Sequence, residues 1–365
     1  MKRRTVALSL AALAVLTLGA VAAYWLQREK PPAPFSPSLE RGVVVPVADY
    51  RLSGPYTHDN LTVFLVHGPE TLDGKSFLPL QEALELHKAT VYETEEVNEL
   101  TIENRSDEEV YVQAGDIVKG GKQDRTFPYD SLIEPNSGPV AINSYCVEQG
   151  RWARRGEEPA AYFKSSANNV GSVHGITFVG GGGGRSAQAD VWRGVGMTQD
   201  KLSKKLGDSV KAEESMSSLQ LTLESTAVRK AIEPYLKTLG STPDGRSDVI
   251  GYVAVVNGQV LSADVYASRS LFRKLWPKLL ESSAVEAFIE AAPDRKFDAA
   301  HEDAVRAFLT HAEGGEGHSE AVTERTYVLV RKAGQTMLFE SCDRSRNNLV
   351  LHRSFLGNPE GESNP

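Results

Sequence analysis

The runs VIGYVAVV (Val249–Val256) and QVLSADV (Gln259–Val265), joined by Asn257-Gly258, constrain the fold more than any other stretch. A two-residue hairpin turn matching strand twist needs positive φ at both central residues, and Asn-Gly is the dipeptide that supplies it most readily. An antiparallel pair is therefore expected late in the chain. Six strand-like blocks precede it: VVVPV (Val43–Val47), LTVFLV (Leu61–Val66), ATVYE (Ala89–Glu93), VNELTIEN (Val97–Asn104), VYVQ (Val110–Gln113) and VAINSYCVE (Val140–Glu148). Turn-rich pieces such as HGPETLDG and NRSDEE separate them, which predicts a mainly antiparallel N-terminal sheet or sandwich.

Helical periodicity appears next. Val228, Ile232, Tyr235, Leu236 and Leu239 form one apolar stripe closed by Gly240, with Pro234 predicting a kink or a late start. Leu271, Leu275 and Leu279 mark a helix interrupted by Pro277, and Phe297, Val305, Phe308 and Leu309 mark another. Three short strands follow: TYVLV (Thr326–Val330), TMLFE (Thr336–Glu340) and NLVLH (Asn348–His352). Strand blocks and helix blocks alternate without regular β-α-β units, so the fold class is α+β. Lys164 to Gln188 is rich in Ser, Asn and Gly and includes five consecutive glycines, Gly180 to Gly184. They lack the spacing and the Lys-Ser/Thr pair of a phosphate-binding P-loop and predict a flexible loop.

The N-terminus addresses the chain. Lys2, Arg3 and Arg4 precede 21 uncharged residues, Val6 to Leu26, about the length that spans a bilayer as a helix. Basic residues stay cytoplasmic, so the rest is expected outside, with the membrane as partner through this helix. Ala20, Ala22 and Ala23 offer a cleavage site that would leave a secreted or periplasmic protein. The run is longer than a usual signal core, and Tyr24 and Trp25 sit where an interfacial belt would lie, which favours the uncleaved anchor. The expected organisation is a signal-anchor over 1–27, a Pro-rich spacer over 28–42, one large α+β domain over 43–355 and a disordered tail over 356–365.

Composition narrows the partners. The net charge of −8 becomes −11 without Lys2, Arg3 and Arg4, which argues against nucleic-acid binding. None of the eight histidines falls in a zinc-binding spacing, and no nucleophile-elbow motif occurs, so neither metal nor cofactor is expected. Nothing points to a particular protein partner. Cys146 and Cys342 make an even pair that invites a disulfide in an oxidising compartment, but sequence alone does not bring their Cα atoms together.

Two segments concentrate candidate site residues: AGDIVKGGKQDRTF (Ala114–Phe127) and INSYCVEQGRW (Ile142–Trp152). In one reading, Gly120 and Gly121 free backbone N–H groups, Lys122 gives a point charge, and Arg125 and Arg151 give planar forks for an anion, with Gln123 and Trp152 beside them. In the other, the glycines make a tight turn, Arg125 pins loops by pairing with Asp124, Asp116 or Glu148, and Trp152 caps the sheet. On one strand face, Ser144, Cys146 and Glu148 would align. Asp124, Cys146 and Glu148 are thus the catalytic candidates, although a neighbouring carboxylate makes a thiol less reactive.

Together with AQADVW (Ala187–Trp192) and VVNGQVLSADVYASRSLFRKLWPKLL (Val255–Leu280), these segments resemble the ADP-ribosylglycohydrolase- and rhodanese-phosphatase-associated protein domain family, over most of the chain after residue 43. That family's name records association and implies no activity. The functional expectation is a membrane-tethered extracytoplasmic domain that binds a small anionic or polar ligand. The alternatives are a hydrolase of a phosphoester or ADP-ribose-type glycosidic bond and a structural interaction module.

Overall fold

The chain is α+β, with six α-helices and three sheets among the described residues. The computed structural model describes residue 42 and residues 44–72, 75–170, 185–292, 297–298 and 301–357. The expected anchor, nearly all of the spacer, the five glycines and the tail after Gly357 lie outside them. Among the described residues no helix is long and apolar enough to cross a membrane.

The largest sheet has eight strands. Its members are β1 (Arg51–His58), β2 (Leu61–His67), β13 (Val249–Val256), β14 (Gln259–Tyr266), β15 (Glu316–Ala321), β16 (Thr326–Ala333), β17 (Thr336–Asp343) and β18 (Leu349–Leu356). They run in the order β1-β2-β13-β14-β18-β17-β16-β15, antiparallel at every pairing. The Asn-Gly turn forms as its sequence dictates, with φ of 53° at Asn257 and 80° at Gly258. The late strands are longer than their apolar blocks and build this main sheet with β1 and β2. The expected antiparallel N-terminal sheet or sandwich is refined: the early strands do pair mainly antiparallel, but they divide among three sheets.

A second sheet has seven strands: β4 (Ala89–Glu93), β5 (Glu99–Asn104), β7 (Asp116–Gly120), β8 (Arg125–Thr126), β10 (Val140–Asn143), β11 (Tyr145–Cys146) and β12 (Tyr162–Asn169). Its order is β10-β5-β4-β12-β7-β8-β11. VAINSYCVE is therefore two edge strands, broken at Ser144, whose N–H bonds to Asn98 O at 3.0 Å. Since one residue separates the two edges, the sheet curls back on itself in the manner of a barrel and brings β10 and β11 close together. Val91, Leu100, Ile102, Val118, Phe127 and Phe163 belong to the core packed against this sheet. The third sheet joins β3 (Leu78–Pro79), β6 (Val110–Val112) and β9 (Ser131–Ile133). VVVPV makes no strand: a 3-10 turn occupies Val47–Asp49, and Pro46, with no N–H to give a ladder, precedes it.

The helices are α1 (Leu80–Glu85), α2 (Arg185–Leu206), α3 (Leu219–Glu224), α4 (Thr226–Leu239), α5 (Arg269–Glu290) and α6 (Glu302–Glu313). Phe297 lies outside α6. Neither proline breaks its helix. Pro234 and Pro277 both face solvent, where water can take the carbonyl that loses its partner, while the apolar face holds each helix in register. Val305, Leu309 and Ala312 of α6 cover one face of the eight-stranded sheet, with Val253, Ala263 and Phe355. Helices α2 to α5 cover the other, where Tyr252 meets Trp276 edge-on at 5.3 Å. A buried ion pair ties α5 to the second sheet: Lys278 Nζ lies 2.7 Å from Asp116 Oδ1, while Asp116 Oδ2 accepts the Gln113 N–H at 3.1 Å.

Removing one partner of such a pair leaves a buried charge unmatched. Lys278→Met alone is expected to lower unfolding stability by about 3–5 kcal/mol. Adding Asp116→Asn, which keeps an acceptor for Gln113, should recover a large part of that loss. Denaturant unfolding of the two variants checks this, and no recovery in the double variant would show that the pair does not tie helix to sheet.

Candidate functional site

The two glycine- and arginine-bearing segments come together, and their charges are spent on each other. Positive φ at Gly120 (119°) and Gly121 (52°) makes the turn, and a Cβ on Gly121 would lie 2.4 Å from the Phe163 ring. The amides that an anion would need are already donors: Gly120 to Asp124 Oδ1 at 3.1 Å, Gly121 to Pro159 O at 3.0 Å, Lys122 to Glu93 Oε2 at 3.0 Å. The side chains pair likewise. Lys122 meets Glu95 at 3.1 Å, buried Arg125 meets Glu93 at 3.6 Å, and Arg151 meets Glu148 at 2.6 Å. Arg155, not singled out from sequence, forks onto both oxygens of Asp124 at 2.9 and 3.1 Å. Arg155 also meets Glu158 at 2.9 Å, so these four cations face five carboxylates, which is the clamp arrangement of the two readings. None of these side chains lines the cavity described below.

The catalytic candidates sit inside this cluster. Burial pushes the Asp124 carboxyl above its ordinary range, and the Glu148 charge adds to that against the pull of Arg155. Burial would raise Glu148 too, but its Arg151 bond holds it below the usual carboxylate range. Cys146 and Glu148 do not share a strand face, because β11 ends at Cys146. The thiol meets Arg125 and the Val97 carbonyl. Burial pushes its pKa up to about 11 despite Arg125, which leaves almost no thiolate at neutral pH. Cys146 and Cys342 are both buried, and neither is in a disulfide. Gln123 is buried and bonds the Glu148 carbonyl at 2.8 Å. Trp152 caps no core: it is 46% exposed and lies over Lys122 Nζ, 5.1 Å from the ring centroid.

This cluster positions helices. The Gln188 side-chain amide pairs with the Cys146 peptide in both directions, at 2.8 and 2.9 Å, and so docks α2 on β11. Ser218 donates to Asp124 Oδ2 at 2.9 Å and caps α3 by accepting from Leu221 N.

Behind those helices, between the eight-stranded sheet and the β7 end of the second sheet, lies a cavity of about 40 Å³ that opens to solvent. Its floor is one face of the sheet, read across the register as Tyr252–Asp264–Ser354–Phe339 in one row and Tyr266–His352–Ser341 in the next. Gln113, Tyr129 and Asp130 are on the facing side, with Leu279 and Ser282 of α5. His352 sits between two carboxylates: Nδ1 is 2.8 Å from Asp130 and Nε2 is 3.1 Å from Asp264. Its ring stacks on Tyr266 at 4.2 Å. Burial alone would lower the imidazole pKa, but the Asp130 charge and the bonds to both carboxylates raise it to about 9. Asp130 also accepts from Ser341 at 2.6 Å and from Ala114 N at 2.8 Å. Burial opposes its ionisation, yet His352 and these donors hold it below the ordinary carboxylate range. One end of the buried Gln113 amide has no partner; the other bonds Tyr266 at 2.9 Å.

Sequence reading passed over Asp130, Asp264 and His352. The signal that could have found them is alternation: Ser262, Asp264 and Tyr266 put polar groups on one face of a strand whose other face is Ala263 and Val265. His352 has a pH consequence. With its folded pKa raised above the unfolded value of about 6.5, its contribution to stability is complete below that value and is lost as pH rises through about 9. The unfolding midpoint should therefore fall between about pH 7 and pH 9.5, and His352→Gln should flatten that limb. An equally steep fall in the variant would place the titrating group elsewhere.

Comparison with curated proteins finds no match, and comparison with solved structures finds none either. The profile of the ARPP-1 family, the ARG and Rhodanese-Phosphatase-superfamily-associated Protein domain, matches residues 49–356, which span all three sheets and all six helices. The chain belongs to the ARPP-1 domain family.

Proposed function

We propose that this is a binding domain for a small polar ligand carrying hydroxyl or ammonium groups, taken up in the cavity over Asp130, Asp264 and His352. The observation that carries this reading is the imidazolium held between two buried carboxylates beside an amide with an unpartnered end. With His352 protonated, the triad has a net charge of −1, and its carboxylates are acceptors. Such a site attracts donors and cations and repels anions, which selects the polar half of the sequence expectation over the anionic half. The neutralised turn at Gly120 to Arg125 points the same way, since no unpaired cation is left there to recruit an anion.

The geometry supports binding better than hydrolysis. A general base needs a lone pair within reach of the proton it removes. Both nitrogens of His352 already donate to carboxylates, and Asp130 already accepts from three donors. The domain is presented outside the cell, in this proposal, by an anchor at Val6 to Leu26 behind Lys2, Arg3 and Arg4.

Two measurements test the proposal. In a thermal-shift screen of the intact protein, neutral sugars, amino alcohols and small amines should include stabilisers, whereas nucleotides and phosphorylated metabolites should not. A ligand present at 100 times its Kd adds about 2.7 kcal/mol of stability, and Asp264→Asn should abolish that gain. Stabilisation by phosphorylated compounds that disappears in Arg151→Lys would return the site to the glycine turn. For localisation, the full chain should sediment with membranes and be open to external protease in spheroplasts; a soluble protein with a new N-terminus near Tyr24 would remove the anchor and keep export.

A further inference from the structure

A second buried histidine, His67, is arranged differently from His352. Its Nδ1 lies 2.8 Å from Asp248 Oδ1, and its Nε2 lies 2.7 Å from Ser53 Oγ. Neighbouring segments of the eight-stranded sheet supply the three groups. Arg51 stands opposite His67 and Ser53 opposite Leu65, so Ser53 and His67 are diagonal neighbours on one face of β1 and β2. Asp248 immediately precedes β13, and its carbonyl accepts the Gly68 N–H at 3.1 Å. A carboxylate beside Nδ1 keeps the ring proton there, which leaves Nε2 as the acceptor for the Ser53 O–H. The His67 bond first, and then the Arg51 bond at 2.6 Å, bring the Asp248 pKa down to about 2.

Behind Ser53 the donors run the same way. The Tyr56 hydroxyl donates to Ser53 Oγ at 3.4 Å, and Arg246 Nη2 donates to the Tyr56 oxygen at 3.0 Å. Helix α5 braces the loop that carries Arg246 and Asp248: Arg269 donates to Ser247 O at 2.8 Å, and Arg273 to Arg246 O. Strand β1 is an edge of the sheet, and Ser53 is half-buried while His67 is buried. The hydroxyl therefore meets solvent, and its imidazole partner is shielded from it. None of these residues lines the cavity over His352.

We infer that Ser53, His67 and Asp248 form a second site, which hydrolyses small carboxylic esters through an acyl-serine. Ser53 Oγ attacks the ester carbonyl carbon as its proton passes to His67 Nε2. The Tyr56 O–H, backed by Arg246, turns to the carbonyl oxygen as that oxygen becomes negative. The bond from carbon to the alcohol oxygen then breaks, and the departing alkoxide takes the Nε2 proton. Water attacks the acyl carbon and gives a proton to Nε2; the bond to Ser53 breaks, Oγ recovers that proton, and a carboxylic acid is released. Asp248 is a positioning residue, which holds the Nδ1–H tautomer and offsets the imidazolium charge without taking the proton. The site stands on its own residues and does not depend on the polar-ligand reading.

The test treats the full chain in lipid nanodiscs with a fluorophosphonate and maps the labelled peptide by mass spectrometry, with p-nitrophenyl acetate turnover followed alongside. The label should lie on Ser53, and p-nitrophenol should appear in a burst of about one equivalent per chain. Ser53→Ala should abolish both. Asp248→Asn should lower kcat by up to about 10⁴ with KM little changed, and Tyr56→Phe should lower it by roughly 10²–10³. A hydrogen-bond chain that only ties β1 to β2 gives no adduct on Ser53 of the unaltered protein, a result that needs no variant to fold. That outcome, or label and turnover retained in Ser53→Ala, would overturn the inference.

Discussion

Asp124 and Glu148 are wholly buried, and the need to neutralise them organises the middle of the chain. A buried carboxylate without a partner would cost several kcal/mol, so the guanidinium groups of Arg151 and Arg155 must lie where they do. Those two arginines fix the loop from Arg151 to Glu158. Asp124 fixes the glycine turn through Gly120 N and the start of α3 through Ser218. A single ion-paired knot thus joins a barrel-like sheet to the helices that lie between it and the larger sheet.

The arrangement explains why residues that look like an anion site are something else. Glycines, a lysine and two arginines within a few positions suit a phosphate equally well when partners are unknown. The partners come from far along the chain or from the opposite sheet position: Glu93 on β4, Glu95 just beyond it, and Pro159 in the loop before β12. Once these occupy the backbone donors and pair the charges, the free N–H groups left in the Arg125 guanidinium, at Nε and Nη2, are buried. The same segments hold α2 through Gln188 and α3 through Ser218, so their role is to position helices.

Much of the fold was legible. The Asn-Gly hairpin, the blocks at Leu61, Ala89 and Thr326, and the stripe from Val228 to Leu239 all formed where periodicity placed them. What failed did so for tertiary reasons. Ser144 breaks a continuous β-rich run because its two halves pair at opposite edges of a curled sheet, and no local pattern encodes that closure. Strands β7, β8 and β12 were missed because Gly, Arg, Lys and Asn fill positions where propensity looks for branched apolar residues. Pro277 did not end its helix because packing of Leu271, Leu275 and Leu279 outweighs one lost hydrogen bond on the wet side. Of the candidate site, sequence found the knot and overlooked the cavity. Asp130, Asp264 and His352 lie in separate segments, each ordinary alone, and only the register of β14, β18 and β17 makes them neighbours.

The pairing of His352 also sets the character of the cavity. An imidazole with one carboxylate keeps a second nitrogen for chemistry; an imidazole with two carboxylates serves as a fixed cation that lets both acids remain ionised in a dry place. Of the two, Asp130 accepts from Ser341, Ala114 and His352, whereas Asp264 accepts from His352 on Oδ1 and from the Tyr252 hydroxyl. Asp264 is therefore the acid with capacity to spare, facing a space walled partly by hydrocarbon where a hydrogen bond to a charged group is worth more than in water. A site of this kind gains more from a donor that stays than from a proton that moves, and that difference is what separates a receptor pocket from an acid–base active site on otherwise similar residues.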